Sequence, residues 1–201
     1  MKDEMYLRSV MKNAGIWDDN GHYAYSSGRH GNTHYDKYGL SVQPEILKLI
    51  GRAMAEASAR WKSDVVISPA YSGISLTQWT AVELHKITGK KVFAVYVIKS
   101  ISSENNKFTF TGNLYEYQKD KRVVILEDNI NTGESIYELK RLVESYSGTV
   151  VGVVSVMNRG NVLLENDLPH VTLFTKNFKT WPASECLLCP NPIDEAPQRI
   201  V

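Results

Sequence analysis

The sequence predicts an α/β fold built on a doubly wound, mainly parallel sheet. Short apolar runs rich in Val and Ile alternate along the chain with longer segments whose apolar residues recur at helical spacing. The run at residues 123–126 is continuously apolar, which is typical of a parallel strand buried on both faces. It ends in two carboxylates and a glycine-containing loop, at the position where open α/β sheets bind ligands.

In the first half of the chain, we expect helices and strands to alternate. Pro44 suits the first turn of a helix, and Ile46, Ile50 and Met54 follow it at helical spacing. The predicted helices cover residues 3–14, 44–61 and 73–88, and the predicted strands cover residues 65–67 and 92–97.

The alternation continues in the second half. We expect a strand over residues 122–127 that ends at the two carboxylates, followed by a helix to about residue 146 whose apolar residues share one face. Further strands are expected over residues 150–156 and 171–174. Strands separated by helices favour a parallel sheet.

Two segments, residues 20–40 and 98–118, do not fit this alternation, because both are polar, aromatic and rich in turn-forming residues. We expect them to form a hood over the edge of the sheet where the strands end. The chain of 201 residues is then one domain. Its hood is expected from about residues 15–40 and 98–118, and its core from about residues 44–97 and 119–180.

The composition argues against several classes of protein. Hydrophobic residues make up 43% and charged residues 22% of the chain, as in ordinary globular domains. A net charge of +1 gives no indication of binding to nucleic acid or to a membrane surface. The sequence has no apolar run of membrane-spanning length, no signal-peptide pattern and only two cysteines. We therefore expect a cytoplasmic protein without nucleic-acid or membrane partners.

The most informative segment runs from residue 123 to residue 135. Glu127 and Asp128 follow the apolar run, and a polar loop with Thr132 and Gly133 leads into a helical pattern. Backbone N–H groups at a helix N-terminus favour a phosphate, whereas two carboxylates would repel a bare one. The combination suits a ligand that carries hydroxyls or a metal beside its phosphate, such as a sugar phosphate. A strand–turn–helix with exposed acids and no ligand is the alternative.

Residues 123–135 closely resemble the motif by which type I phosphoribosyltransferases bind phosphoribosyl pyrophosphate (PRPP). Asn131 stands where Thr or Ser is more usual, and Glu134 where Gly or a small residue is more usual. The resemblance implies that Glu127 and Asp128 are catalytic residues that hold the ribose hydroxyls, and that the following loop binds the 5′-phosphate. The PRPP-binding residues it implies are Glu127, Asp128, Asn129, Ile130, Asn131, Thr132, Gly133, Glu134 and Ser135.

A second loop of the phosphate-binding kind follows the first core strand. Residues 68–74 resemble the pyrophosphate loop of orotate phosphoribosyltransferases. Ser72 stands where many members have Lys or Gly, and its hydroxyl can donate one hydrogen bond but carries no charge. The resemblance assigns Ala70, Tyr71, Ser72 and Gly73 to pyrophosphate. A plain strand-to-helix connection is the alternative.

Residues 21–37 and 185–189 resemble segments of one bacterial and archaeal branch of the orotate enzymes. Arg159, just past a predicted strand, corresponds to an arginine that meets the carboxylate of the base, and a guanidinium fork suits such a partner. A surface arginine at a turn is the alternative. The resemblance thus implies base binding at Arg159, Asn131 and Ser27.

The hood segment that begins near residue 98 resembles the mobile loop of the family only loosely. Lys99 matches a catalytic lysine that reaches pyrophosphate, often across a dimer interface, and Lys107 is the only other basic candidate in this loop. Ser26 replaces a lysine that the family usually has. We expect a homodimer in which Lys99 acts in trans.

Cys186 and Cys189 alone cannot complete a tetrahedral zinc site, which needs four ligands. His85 and His170 are far away in sequence and on unrelated elements. The expectation is a small buried pair of cysteines near the C-terminus, with no metal held by protein ligands. A redox role has no supporting context.

The reaction implied by the resemblance is transfer of the 5-phosphoribosyl group from PRPP to orotate, a step of pyrimidine nucleotide biosynthesis. The products are orotidine 5′-monophosphate and pyrophosphate, and Mg²⁺ is expected to bind mainly through PRPP or pyrophosphate. Two alternatives remain open: transfer to a different base, and a PRPP- or nucleotide-binding regulator without turnover. The sequence has neither the P-loop nor the G-x-G-x-x-G pattern, which argues against a kinase or a nucleoside triphosphatase.

Overall fold

The computed structural model describes residues 4–100, 107–164, 168–189 and 198–199. Within these residues, the α-helices are α1 (Glu4–Asn13), α2 (Lys37–Ser41), α3 (Pro44–Ser58), α4 (Ser72–Thr88) and α5 (Glu134–Ser145). The 3-10 helices are Ala59–Trp61, Leu114–Tyr117 and Ala183–Glu185. The strands are β1 (Trp17–Asp18), β2 (Tyr23–Ala24), β3 (Arg29–Gly31), β4 (His34–Tyr35), β5 (Val65–Pro69), β6 (Phe93–Lys99), β7 (Phe108–Phe110), β8 (Arg122–Ile130), β9 (Thr149–Asn158), β10 (His170–Thr175), β11 (Thr180–Pro182) and β12 (Gln198–Arg199).

Six strands form the main sheet, in the order β10-β9-β8-β5-β6-β7. Neighbouring strands pair in parallel, except that β7 runs antiparallel to β6 at one edge. The predicted α/β class with a doubly wound, mainly parallel sheet is confirmed. β7 lies in a segment that we expected to form part of the hood. It extends the sheet instead, because Phe108 and Phe110 are buried in the apolar cluster that also contains Val97 of β6.

Helices cover both faces of the main sheet, so alternate residues of one strand belong to different apolar clusters. On one face, Val66 of β5 and Val124 of β8 pack with residues of α3 and α4. On the other face, Ile67 and Ile125 pack with Ile136 of α5. With both faces covered, the C-terminal ends of the strands are the expected place for a ligand.

A second, four-stranded sheet has the order β11-β3-β2-β12 and is called the small sheet below. β2 and β3 form a hairpin whose turn is closed by hydrogen bonds between Tyr25 and Arg29 and between Gly28 and Tyr25. β11 and β12 come from the C-terminal part of the chain, outside the predicted hood. The Arg29 side chain donates to Thr180 across a sequence separation of 151 residues.

Two short strands near the N-terminus, β1 and β4, pair with each other in antiparallel fashion and form a separate two-stranded sheet. In the described part of the chain, no helix is both long enough and apolar enough to span a bilayer.

Candidate active site

Two loops lie side by side at the C-terminal edge of the main sheet. They follow β5 and β8, which are neighbours in the centre of the sheet and pair in parallel from Val65 and Val123 onward. The loop after β5 leads into α4, and the loop after β8 leads into α5. The two segments that the sequence predicted to bind phosphate groups therefore meet at one place.

Asp128 connects the two loops. Its carboxylate accepts a hydrogen bond from the hydroxyl of Ser72, the first residue of α4. The ammonium of Lys37 lies 3.9 Å from the same oxygen, Oδ2. Strand β8 runs on to Ile130, three residues beyond its predicted end, so the acidic pair lies within the strand.

Glu127 is held by groups from its own strand and from α5. Ser135 Oγ donates to Glu127 Oε2 at 3.1 Å, and the N–H of Asp128 donates to Oε1 at 3.2 Å. Both acidic residues are buried, with 8% of each exposed. Burial, and then the neighbouring charge of Asp128, raises the pKa of Glu127 to about 8. The pair is thus short of positive charge, and a ligand that brings hydroxyl donors or a cation would relieve this.

The loop after β8 has the backbone geometry of an anion-binding turn. Gly133 adopts φ +86°, a left-handed conformation that suits glycine, and α5 begins at the next residue. Thr132 Oγ1 accepts from the N–H of Glu134 at 3.4 Å, and both Asn131 and Thr132 are exposed. The N–H groups of Ile136 and Tyr137 in the first turn of α5 already donate to the carbonyl oxygen of Gly133, so an anion there would meet the N–H groups of the loop and of Ser135.

Two predicted PRPP-binding residues have surroundings that limit their contribution. The side chain of Ile130 is buried in the apolar cluster on the α5 side of the sheet, so only its backbone could meet a ligand. The side-chain oxygen of Asn129 is buried and has no hydrogen-bond partner among the described residues.

The loop after β5 is compact. A Cβ on Gly73 would lie 2.5 Å from Ser68 Oγ, which is too close for a side chain. Only glycine therefore allows the backbone at residue 73 to pass this near to Ser68. Tyr71 is exposed, Ser72 is buried, and the peptide bond between Ala70 and Tyr71 is cis.

Arg159 follows β9 and lies between two aromatic rings. Its guanidinium carbon is 4.3 Å from the ring centre of Phe178 and 5.7 Å from that of Tyr25. Burial lowers its pKa, and its Nε has no hydrogen-bond partner among the described residues. A Cβ placed on Gly160, the residue after Arg159, would lie 3.3 Å from the backbone oxygen of Asn131. Asn131 and Arg159, two of the predicted base-binding residues, are therefore close together. A half-buried cation close to two aromatic rings suits a planar anionic ligand.

Ser27, the third predicted base-binding residue, is exposed in the turn between β2 and β3, two residues after Tyr25. Lys99 is the last residue of β6 and is exposed, with its ammonium 5.8 Å from the ring centre of Phe108. The part of the predicted mobile loop at residues 101–106 lies outside the described residues. The roles of Ser27 and Lys99 stay predictions.

Two residues near the acidic pair had no role in the sequence-based prediction. Lys37 begins α2, whose N-cap Asp36 accepts from the N–H of Gly39 at 2.8 Å. The hydroxyl of Tyr35 is buried without a hydrogen-bond partner in the described residues. Burial, and then the charges of Asp128 and Glu127, raises its pKa well above the usual value. Both residues lie within the N-terminal segment of the resemblance, residues 21–37, which was the available signal.

The expectation for the cysteines is wrong. Cys186 is half-buried and Cys189 is exposed, so they are not a buried pair. They lie beside His22 and His30 of the β2–β3 region, and not beside His85 or His170. The pairing of β3 with β11 brings these distant segments together.

Comparison with known proteins relates this arrangement to one family. The model of the phosphoribosyl transferase domain matches residues 40–188. An orotate phosphoribosyltransferase of Caldanaerobacter subterraneus subsp. tengcongensis is 30% identical over 169 residues, covering 84% of this chain and 83% of that protein. Another, of Caldicellulosiruptor saccharolyticus, is 26% identical over 189 residues, covering 94% and 92%.

Solved structures agree at the level of the fold. An orotate phosphoribosyltransferase of Mycobacterium tuberculosis in complex with Fe(III) dicitrate superposes with a TM-score of 0.63, at 22% identity, over 86% of this chain and 95% of that one. An adenine phosphoribosyltransferase of Thermoanaerobacter pseudethanolicus gives a TM-score of 0.53, at 18% identity, over 71% and 88%. The fold is therefore shared by proteins named for different bases.

Proposed function

The chain belongs to the phosphoribosyl transferase family, and on this premise we propose that it transfers the 5-phosphoribosyl group of PRPP to orotate. The products are orotidine 5′-monophosphate and pyrophosphate. The observation that carries the choice of base is Arg159, whose guanidinium lies between Tyr25 and Phe178 with Nε unpaired in the described residues. Orotate is planar and carries a carboxylate, which a guanidinium binds with two parallel hydrogen bonds. Relatives named orotate phosphoribosyltransferase support the same choice.

In this proposal, the loop after β8 anchors the 5′-phosphate on the first turn of α5. Glu127 and Asp128 hold the ribose hydroxyls, which donate hydrogen bonds to the two carboxylates. As the bond from the anomeric carbon to pyrophosphate breaks, positive charge develops on the ribose ring, and the adjacent carboxylates stabilise it. The electron pair of the broken bond leaves with pyrophosphate, and a ring nitrogen of the base bonds to the anomeric carbon and gives its proton to pyrophosphate or water. No nucleophilic side chain is required, because positioning and electrostatics supply the catalysis.

The leaving pyrophosphate needs partners at the loop after β5. Ala70, Tyr71, Ser72 and Gly73 offer backbone groups and one hydroxyl there. Ser72 already donates to Asp128, so this hydroxyl links the pyrophosphate side of the site to the ribose side. Lys37, 3.9 Å from Asp128, is a cation of the same chain that can act close to this region.

A magnesium ion fits the donors of this site. Carboxylate oxygens are ligands that Mg²⁺ prefers, and the raised pKa of Glu127 reflects a pair without enough positive charge. Glu127 and Asp128 would contact the ion or its waters, while most of its ligands would come from PRPP. When bound, the ion would neutralise negative charge on the pyrophosphate.

We also propose that the enzyme works as a homodimer. Lys99 is exposed at the end of β6 and engages only the ring of Phe108 among its described contacts. It would complete the pyrophosphate side of a neighbouring subunit's site. The division of the chain into a core and a hood belongs to the same proposal, with Ser27 in the hood and Lys99 at the end of β6.

The test is product formation from PRPP and Mg²⁺ with orotate, uracil, adenine and hypoxanthine side by side. Orotate should be consumed and uracil should not, because uracil lacks the carboxylate that Arg159 would bind. Turnover of a purine but not of orotate would overturn the choice of base and leave the transferase activity in place. PRPP binding without turnover of any base would favour the regulator.

A further inference from the structure

Four side chains that can bind a metal meet at one end of the small sheet. His22 directly precedes β2, and His30 lies within β3. Cys186 and Cys189 follow the 3-10 helix after β11. One ligand atom from each lies within 4.8 Å of the others. We propose that these four residues bind a Zn²⁺ ion.

Four of the six distances between the ligand atoms are close to the edges of a zinc tetrahedron, and all six are within 4.8 Å. His22 Nε2 is 3.3 Å from His30 Nδ1 and 3.4 Å from Cys186 Sγ. Cys189 Sγ is 3.6 Å from His22 Nε2 and 3.3 Å from His30 Nδ1. Usual zinc bond lengths give edges of about 3.3 Å between two nitrogens and about 3.6 Å between nitrogen and sulfur. The four ligand atoms are therefore close enough together to surround one central ion.

Hydrogen bonding alone does not account for this cluster. The Nε2 of His22 has three partners within 3.6 Å, namely His30 Nδ1 and both sulfurs. A ring nitrogen carries either one hydrogen or one lone pair, so it can make only one good hydrogen bond in this plane. A shared cation satisfies all four atoms at once, because each then directs a lone pair to the same point.

The donor set selects the metal. Two thiolates and two imidazoles in a tetrahedral arrangement suit Zn²⁺, whereas Mg²⁺ and Ca²⁺ prefer oxygen ligands. Four protein ligands fill the coordination shell and leave no position for substrate, which is the pattern of a structural zinc site. The ion would thus hold protein segments together and take no part in the transfer reaction.

The site joins the hairpin to the C-terminal segment. Trp181 of β11 is the register partner of His30, so the backbone pairing already holds the two segments in contact. Tyr25, which contacts Arg159, stands on the same hairpin three residues after His22. A zinc ion would therefore fix the position of the hairpin at the base side of the candidate active site.

Zinc content of the purified protein tests the proposal directly. The full chain, expressed in zinc-supplemented medium and passed through a desalting column, should carry about one Zn²⁺ per chain by elemental analysis. The double variant Cys186→Ser/Cys189→Ser should carry at least about tenfold less. The matched control His85→Ala, which changes an exposed histidine outside the cluster, should keep the full content. Wild-type content near zero, or the same content in the cysteine variant, would overturn the proposal.

A second measurement keeps the test decisive if the double variant does not fold. Wild-type protein reconstituted with Co²⁺ should show the intense visible absorption of tetrahedral cobalt and the near-ultraviolet bands of thiolate ligands. A mercurial thiol reagent should then abolish both. Weak bands typical of six oxygen ligands would contradict the site. This readout does not depend on the transferase activity, so it can fail or succeed separately from the proposed function.

Discussion

The two sides of the candidate active site are built in different ways. The ribose-phosphate side is formed where two neighbouring central strands of the main sheet end, and its acidic pair is buried and held by Ser72 and Ser135. The base side joins Arg159, at the end of β9, to Tyr25 in the turn of the β2–β3 hairpin. The small sheet depends on pairing between the two ends of the chain, and its described residues do not belong to either apolar cluster that packs on the main sheet.

The difference indicates a division of tasks. Groups that act on the ribose phosphate, the part of the substrate common to all reactions of the family, lie on rigid core strands, where packing fixes their positions. Groups that would select the base lie partly on a separate sheet. Changes on the first side should therefore affect every substrate, and changes on the second side should affect the choice of base.

The largest effect is expected on the ribose-phosphate side. The double variant Glu127→Gln/Asp128→Asn should lose at least about a hundred- to a thousandfold in turnover, because the charges that face the developing cation are removed. Stability should fall little, since two neutral amides replace two buried carboxylates that repel each other. Initial rates with orotate and a thermal unfolding curve measure both quantities.

The control for this variant is Glu116→Gln/Asp120→Asn, which neutralises two exposed acids outside the site. It should keep wild-type rates. Near-normal turnover by the Glu127/Asp128 variant would show that the acidic pair does not have the proposed role.

The second effect concerns the exposed lysine at the end of β6. Lys99→Ala and Asp128→Asn proteins should each be nearly inactive. After subunit exchange, a mixture in equal amounts should regain about a quarter of the wild-type activity, because half of the dimers have one intact site. Mixing Asp128→Asn with Glu127→Gln should restore nothing, since no hybrid site is then complete. Lack of recovery after confirmed exchange would contradict action in trans.

A smaller and more selective effect is expected on the base side. Arg159→Ala should lower kcat/KM for orotate by ten- to more than a hundredfold, since a charge-assisted contact of about 1.5–3 kcal/mol is lost. The affinity for PRPP, measured by calorimetry without a base, should stay nearly unchanged. Arg60→Ala, at an arginine that stacks on Trp61, is the control. An equal loss of PRPP affinity would mean that Arg159 has a general structural role.

The smallest effect is a pH dependence of stability that comes from Glu127. Its pKa in the folded protein is raised from 4.5 to about 8, so folding favours the protonated form. The resulting stabilisation is complete below pH 4.5 and is lost as the pH rises through about 8. In Glu127→Gln this dependence should disappear, and the unfolding temperature of the variant relative to wild type should rise across that window. The exposed Glu45→Gln variant should follow wild type, and a parallel course of all three proteins would contradict the raised pKa.

The sequence predicted the core well because its signals are local. The apolar runs at β5, β8 and β9 and the helical periodicities of α3 to α5 all lie at the expected places. The two loops beside Glu127 and Ser72 could be located in the same way, because each follows its strand directly. The strands run further than predicted: β5 and β9 each end two residues later, and β8 ends three residues later, since its pairing with β9 continues beyond the apolar run to Ile130.

The features of the fold and the site that the sequence did not predict depend on contacts between segments that are distant in the chain. Nothing near Cys189 in sequence indicates that it lies beside His22 and His30, because the pairing of β3 with β11 creates that contact. β7 was expected in the hood because its surroundings are polar, although its two buried phenylalanines join the main sheet. Similarly, the hydrogen bond from Ser72 to Asp128 depends on β5 and β8 being neighbours in space.

The order of the strands also has a consequence for synthesis on the ribosome. All six strands of the main sheet precede β11 and β12 in the chain, so the nascent protein can complete its core before the small sheet is closed. Until the last segment emerges, the β2–β3 hairpin lacks partners on both of its outer edges. The base side is therefore the last part of the molecule to be completed, and unpaired strand edges of this kind are where a newly made chain is most exposed to aggregation.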